Sequence, residues 1–476
     1  MLELVDARAG PWHDVRDGWA SRMSLTNNFL AGKIGSGFNA DDLREALEAL
    51  DQELIDPLTK GIPAAADALE LGEIGAQHWN LLQGDLPAPV AVLRKSALDH
   101  NGRWMRKLLD RFGLHLAPHA KTTMAPHLWA QQAAQGCWGL TVATVQQAEV
   151  AVAFGCRNLL IANQVTGRAQ VRGIVELARQ YDGLNLNVFL DSLDGLKTLS
   201  DDVAACKTEQ PVNVLLEVGF AKVRTGCRSI EQVGKLLDAL PSHHARLRLA
   251  GIAGYEGMIA GADGHEDGAA AEAFFDLFAE AAQLADRRNA FGTTEVILTA
   301  GGSAYYDIVG RRLGQISLRL PTVKVIRSGC YITHDCGTYV EHQADMTKRD
   351  PKLVQELGAL EPALFVCGLV QSVPEPGLAL VTMGKRDVGF DLHLPKPVWR
   401  FRAHATPQPE AVPEDWTIFK LNDQHAHLRI KPDADIKVGD LLICGISHPC
   451  TTFDRWRLIH VVDDHWMSLG AIATFF

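Results

Sequence analysis

Three kinds of short stretch in this chain carry residues suited to chemistry on a small charged molecule. The first is Pro118-His119-Ala120-Lys121-Thr122, where a lysine follows the apolar run Leu114-His115-Leu116-Ala117-Pro118. Most lysines are solvated surface charges, but one drawn inward from a buried strand end differs. Burial disfavours a charged amine and leaves a neutral nucleophile suited to imine formation. The second kind is the pair of small-residue loops Thr299-Ala300-Gly301-Gly302-Ser303 and Arg327-Ser328-Gly329-Cys330-Tyr331. Glycines let backbone N–H groups approach an anion closely, and the hydroxyl adds a donor. The third is His448-Pro449-Cys450, an imidazole and a thiol that suit Zn²⁺. Two ligands do not close a tetrahedral site, so water, substrate or a distant residue would have to complete it. His334-Asp335-Cys336 and His425-Ala426-His427 are pairs of the same formal quality, and spacing does not choose among the three.

These residues need a frame. Residues 1–86 are predicted to form a helical extension, with Asn39-Ala40-Asp41-Asp42 as a cap and Leu43, Leu47, Leu50 and Leu54 at helical spacing. From Pro87 short apolar runs alternate with amphipathic stretches. Val90-Ala91-Val92-Leu93 reads as a strand, followed by a helix containing Trp104, Leu108 and Leu109. Eight further strands are predicted at 114–117, 139–143, 159–162, 186–190, 212–217, 247–253, 295–298 and 322–326, each but the last followed by a helix-sized segment. Continuous apolar runs fit strands covered on both faces, and eight such units close into a (β/α)8 barrel without leaving an edge. An open doubly wound sheet is the rival architecture. The barrel would span 87–355, and 356–476, where the helical period disappears, would form a β domain carrying the His448–Cys450 pair. In a barrel, chemistry sits at the C-terminal ends of the strands and phosphate is held after strands seven and eight. Lys121 and both glycine loops fall there.

Composition narrows the classes further. The 476 residues carry 46 basic and 57 acidic side chains, a formal charge of −11, with no basic block. That argues against binding nucleic acid or an anionic membrane as the main role. No long apolar run predicts a transmembrane helix, and the start of the chain does not read as a secretory signal. The nine scattered cysteines read as reduced thiols of a cytoplasmic protein.

Taken in order, Pro118-His119-Ala120-Lys121-Thr122, Arg224-Thr225-Gly226, Gly254-Tyr255-Glu256-Gly257, Ala300-Gly301-Gly302-Ser303 and His448-Pro449-Cys450 resemble the D-threonine aldolase and D-serine dehydratase family. That family lies in the alanine-racemase-like fold group of pyridoxal-phosphate enzymes. The likeness runs from about Pro87 to the C-terminus and is nearest to the longer bacterial members described as amino acid deaminases. The first 85 residues have no counterpart in the shorter members. The resemblance implies a homodimer with a (β/α)8 barrel and a β domain, in which the strand at 90–93 joins the β domain. It implies that Lys121 carries pyridoxal 5'-phosphate as a Schiff base, that Arg224 approaches the pyridine nitrogen and that Tyr255 lies beside the ring. Gly301, Gly302, Ser303, Gly329 and Cys330 would hold the phosphate. His448 and Cys450 would bind a divalent metal, for which the thiolate favours zinc over manganese.

The chain departs from the family at three points. Cys450 stands where the aldolases tend to have Asp, which leans toward the dehydratase branch. Met258 replaces a His after Tyr-Glu-Gly, and Thr123-Met124 replaces a His after Lys-Thr. The expected reaction is dehydration and deamination of a small D-β-hydroxy amino acid, of D-serine or D-threonine type, to a 2-oxo acid and ammonia. Lys121 would take the α-proton and the metal would help the β-hydroxyl leave. Retro-aldol cleavage to glycine and an aldehyde is the alternative. Racemisation, which gives the metal no role, and a non-catalytic cofactor-binding protein come after it.

Overall fold

The computed structural model describes residues 25–30, 32–64, 67–260 and 267–476. Eight strands form the barrel: β1 (His115–Leu116), β2 (Leu140–Val142), β3 (Asn158–Gln164), β4 (Asn185–Leu190), β5 (Val212–Val218), β6 (Leu247–Gly254), β7 (Val296–Ala300) and β8 (Thr322–Ile326). Neighbours from β2 to β8 pair in parallel, and β8 pairs in parallel with β1 through Val325–His115 and Ile326–Leu116. Single bonds complete the ring between β1 and β2. Trp138 N–H donates to Leu116 O at 2.7 Å, Thr141 N–H to Pro118 O at 3.0 Å and Thr141 Oγ1 to Ala117 O at 2.8 Å. The ring is a nearly closed barrel, not an open sheet.

Alternation along the strands explains their continuous apolar runs. Ala117, Leu160, Phe189, Leu215, Ile297 and Val325 belong to one buried cluster inside the ring. Their neighbours Leu159, Val188, Val214, Leu216 and Leu298 belong to the larger cluster shared with the surrounding helices. Both faces are dry, as parallel strands require. β2 and β4 run almost directly into a capped helix, and four helices of the barrel share the same kind of cap. Thr144, Ser192, Ser229 and Asp267 each accept an N–H bond in the first turn of the helices Val145–Ala153, Leu193–Ala205, Ile230–Ala239 and Gly268–Arg287.

The rhythm does not stop at the eighth strand. Helices Thr338–Arg349 and Pro351–Leu357 follow β8. Met346 is the buried residue of the first of them, so the apolar period that would reveal a helix is missing. In the β domain, Leu364–Glu375 pairs with Leu378–Val381 on one side and Leu441–Gly445 on the other. An additional strand, Lys396–Phe401, lies beside Leu441–Gly445. It escaped the sequence because Pro397 argues against a strand, and the register shifts there, between Pro397 and Trp399. Val90–Arg94 pairs antiparallel with Leu364–Glu375 and parallel with Leu458–Val462. The chain thus passes through the β sheet before it enters the barrel.

The described part of the N-terminal segment is less helical than predicted. Helices Leu25–Phe29 and Ala40–Asp51 are joined to short 3-10 turns and a two-residue hairpin, and residues 1–24 lie outside the described residues. Asn39 caps the helix Ala40–Asp51 as expected, and Leu43, Leu47 and Leu50 are buried. Leu54 falls beyond the helix end and is exposed. Among the described residues, no helix is long and apolar enough to cross a membrane.

Candidate active site

At the C-terminal ends of the strands lies a cavity of about 320 Å³. Nine residues singled out from the sequence line it: Lys121, Arg224, Tyr255, Gly301, Ser303, Gly329, Cys330, His448 and Cys450. Gly302 does not. His334, Cys336, His425 and His427, from the competing metal pairs, lie elsewhere. His334 Nδ1 meets the carbonyl of Asp335 at 3.0 Å, and His427 Nε2 lies 3.3 Å from Asn422 Nδ2.

Lys121 sits in the 3-10 turn Ala120–Thr122, just past β1. The loop after β8 crosses this turn closely. A Cβ at Gly329 would lie 2.5 Å from His119 O and 2.6 Å from Thr122 Oγ1, so the crossing needs a glycine. The preceding side chain, His119, is missing from the sequence-based site but lines the cavity. Burial, reinforced by Lys121, Arg327 and Arg224, holds its imidazole well below the ordinary range, so it is neutral. Its Nδ1 is buried without a hydrogen-bond partner among the described residues.

The glycine loop after β7 departs from expectation. The carboxyl of Glu256 accepts the N–H of Gly301 at 3.0 Å and of Gly302 at 2.5 Å. Those two donors are therefore engaged inside the protein instead of facing the cavity. Glu256 is fully buried, and burial pushes its carboxyl above the ordinary range against these two bonds. A Cβ at Gly301 would meet the Tyr255 ring at 2.7 Å, which explains the small residue there. The donors left for an anion are the N–H groups of Ser303, Gly329 and Cys330, which have no protein acceptor among the described residues. Ser303 Oγ donates to Ser328 Oγ at 2.9 Å, and Tyr306 Oη lies 2.5 Å from the same oxygen.

Charged groups below and beside these loops were also missed. Arg327 is 5% exposed and donates to Thr299 Oγ1 at 2.9 Å and Gly254 O at 2.6 Å, with its guanidinium 5.4 Å from the Phe189 ring centre. Burial lowers its pKa to about 10, against Glu256 and Glu217, so it remains a cation at neutral pH. Glu217 accepts from Gln164 Nε2 at 2.7 Å, and burial raises its carboxyl. Arg224 lies 5.3 Å from the centre of the Tyr255 ring. Burial and then Glu256 push the Tyr255 phenol up to about 12. Glu217 has no local signal in the sequence, and Arg327 opens the small-residue loop without its charge being legible as part of the site; each is placed by a strand end.

The His448–Cys450 pair enters from the β domain. His448 caps the helix Pro449–Phe453, which carries Cys450 in its first turn. His448 Nδ1 lies 2.6 Å from Asp391 Oδ2, and Thr451 Oγ1 donates to Asp391 Oδ1 at 2.7 Å. The carboxylate engages Nδ1 and leaves Nε2 for a metal, the usual arrangement behind a ligating histidine. Cys450 Sγ lies 3.7 Å from Cys330 Sγ and 3.5 Å from Thr122 Oγ1. The contact with Cys330, against burial, pulls the Cys450 thiol well below its ordinary range, helped by His448 and Lys121. Among the described residues, no group of three or more His, Cys, Asp or Glu is arranged to hold a metal alone. A metal at this pair would take its remaining ligands from solvent or substrate. Met258 is 53% exposed, and Met124 is buried in the core with its carbonyl bonded to Phe475 N–H. Neither replaces the missing histidines as an acid or base.

Residues 363–462 match the family model described as a putative serine dehydratase domain. The D-threonine aldolase of an Arthrobacter species is 25% identical over 79% of this chain and 89% of its own length. The D-threo-3-hydroxyaspartate dehydratase from Delftia sp. HT23 superposes with a TM-score of 0.63 at 20% identity, covering 83% of this chain and 99% of that one. An alanine racemase of Clostridium difficile has the same fold, with a TM-score of 0.54 at 14% identity over 82% of this chain and 99% of its own. With Lys121, the two loops and the His448–Cys450 pair gathered in one cavity, the chain is similar to D-threonine aldolase and D-threo-3-hydroxyaspartate dehydratase and has the alanine-racemase-like fold.

Proposed function

We propose that this protein is a pyridoxal-phosphate-dependent lyase that dehydrates and deaminates a small D-β-hydroxy amino acid, of D-serine or D-threonine type, to a 2-oxo acid and ammonia. One observation carries the proposal: Lys121, from the barrel, and His448 with Cys450, from the β domain, line the same cavity of about 320 Å³. A lysine alone would suit many cofactor reactions. A metal pair beside it suits a substrate with an oxygen on its β-carbon.

The cavity fits the cofactor. The N–H groups of Ser303, Gly329 and Cys330 are donors for a phosphate, at a crossing where a Cβ would clash. Lys121 supplies the amine for covalent attachment, and the unpartnered His119 Nδ1 is a polar atom that a bound group could satisfy. Arg224, held over the Tyr255 ring, would approach the ring nitrogen of the bound cofactor. Bound there, pyridoxal phosphate supplies an electron sink for the charge that develops on the substrate α-carbon.

The protein's own groups do the rest. Lys121 Nζ is the amine that would take the α-proton. Tyr255 and the buried wall of Phe189 and Arg327 shield that face from water. His448 Nε2 and Cys450 Sγ would hold a divalent ion, which supplies Lewis-acid chemistry at the β-hydroxyl. A thiolate ligand favours zinc, and a mutant D-threo-3-hydroxyaspartate dehydratase has been solved in a form described as metal-free. The nine cysteines are all unpaired thiols, which supports a reducing, cytoplasmic setting.

Product analysis with D-serine and D-threonine, with and without a chelator, tests this reading. A 2-oxo acid and ammonia, lost on chelation and restored by zinc, are expected. Glycine and an aldehyde would replace it with the retro-aldol reading, which the aldolase names of broadly matching relatives favour.

A further inference from the structure

We propose that Lys60 is a positioning residue for the metal pair, and that the N-terminal segment is a strut that keeps Asp391 in place behind His448. This rests on His448 and Cys450 being metal ligands.

The strut is anchored at one end on the β domain. Residues 56–62 form a turn in which Asp56 Oδ1 accepts the Leu58 N–H at 2.8 Å. The Gly61 carbonyl meets Nε2 of the fully buried His460 at 2.9 Å, and Ile62 is buried beside it. From this turn Lys60 Nζ reaches 2.6 Å from Asp387 Oδ1, lies 3.5 Å from the centre of the Trp456 ring, and donates to Arg386 O at 3.3 Å. The Asp387 side chain is fully buried. A carboxylate in that setting needs a cation, and a lysine held over an indole face is a well-placed one.

From Asp387 the connection to the metal pair is short. Asp387 Oδ2 accepts the Gly384 N–H at 2.8 Å, and Trp456 Nε1 donates to the Asp387 carbonyl at 2.8 Å. Two residues on, the Gly389 N–H donates to Thr452 Oγ1 at 2.9 Å. Two more bring Asp391 onto His448 Nδ1 and Thr451 Oγ1. The loop at 384–391 is thus bound to the helix carrying Cys450 at one end and to Lys60 at the other. Without the Lys60 cation, the Asp387 carboxylate must turn toward water or take a proton. Either outcome loosens the loop that aims His448 Nε2. Loss of such a partner behind a ligating histidine typically weakens metal binding by about 10- to 100-fold.

Cobalt(II) titration of the full-length, cofactor-loaded protein reads the site through thiolate-to-cobalt absorption, without turnover. Lys60→Met is expected to weaken cobalt binding about 10-fold or more, as is Asp391→Asn, and Lys60→Arg to recover most of the loss. Asp51→Ala cuts a different tie of the same segment, the 3.0 Å contact with His127 on the barrel, and is expected to leave cobalt affinity unchanged. Unchanged affinity in Lys60→Met, or an equal loss in Asp51→Ala, overturns the proposal. If Lys60→Met does not fold, Asp387→Asn tests the same contact, because it keeps the acceptor for Gly384 and removes the charge. A wild-type protein that shows no cobalt–thiolate absorption overturns the metal reading itself, and the strut with it.

Discussion

Replacing Gly329 with alanine adds one methyl group where the Lys121 turn and the loop after β8 cross. The backbone at Gly329 has φ −102° and ψ −41°, which alanine adopts freely, so the obstacle is purely steric. The new Cβ would lie 2.5 Å from the His119 carbonyl oxygen, 2.6 Å from Thr122 Oγ1 and 2.9 Å from the His119 Cβ. A carbon and an oxygen settle at about 3.3 Å or more, so the two loops must part by roughly 0.8 Å. None of the opposing atoms is the end of a flexible side chain. The movement therefore passes to the turn that carries Lys121, two residues beyond His119. Overpacking of this kind costs about 1–3 kcal/mol, and a misplacement near 1 Å can cost about 100-fold in rate. Gly329→Ala is expected to lower the urea midpoint by the corresponding amount, weaken pyridoxal phosphate binding by at least about 10-fold and reduce kcat for ammonia release. Gly314→Ala is the control, because its Cβ would meet only Phe112 O at an ordinary 3.4 Å. Gly329→Ala with wild-type stability and cofactor affinity would refute the reasoning that this crossing builds the cofactor site.

Two further predictions follow from neighbouring groups. Lys121→Ala should abolish the visible absorbance of lysine-bound cofactor and lower activity by about 10²- to 10⁴-fold, and a spectrum unchanged by the substitution would end the assignment of Lys121. Burial pushes the Asp335 carboxyl up to about 7, against bonds from the Gly337 and Tyr339 N–H groups, whereas an unfolded Asp titrates near ~3.9. A raised folded pKa contributes stability below the unfolded value that is lost as pH rises through the folded one. Wild-type stability relative to Asp335→Asn should therefore fall between about pH 4 and pH 8, by up to a few kcal/mol. Urea midpoints that run parallel for the two proteins across that window would contradict it.

Much of this protein is legible without coordinates. Most of the barrel strands can be read because their central residues are buried on both faces and are apolar. Lys121, the glycine loops and His448-Pro449-Cys450 can be read because each is a local run whose residue types declare their chemistry. Where burial is partial the signal fails. Helix Thr338–Arg349 has no apolar stripe, and strand Lys396–Phe401 carries a proline.

Of the three His and Cys pairs, the fold brings His448 and Cys450 to the cavity that Lys121 lines, through the strand-to-helix turn at 445–449. Tertiary structure also moved the anion donors. Glu256, 45 and 46 positions before the glycines it caps, occupies the N–H groups of Gly301 and Gly302 and leaves the task to Ser303, Gly329 and Cys330. His119, Glu217, Arg327 and Asp391 join the site by the same logic. Sequence determines which residues can form an imine, bind a metal or carry a charge, because those are properties of side chains. Which of them meet, and which are already engaged by a distant carboxylate, depends on contacts between segments far apart in the chain, and only the closed barrel and its β domain decide that.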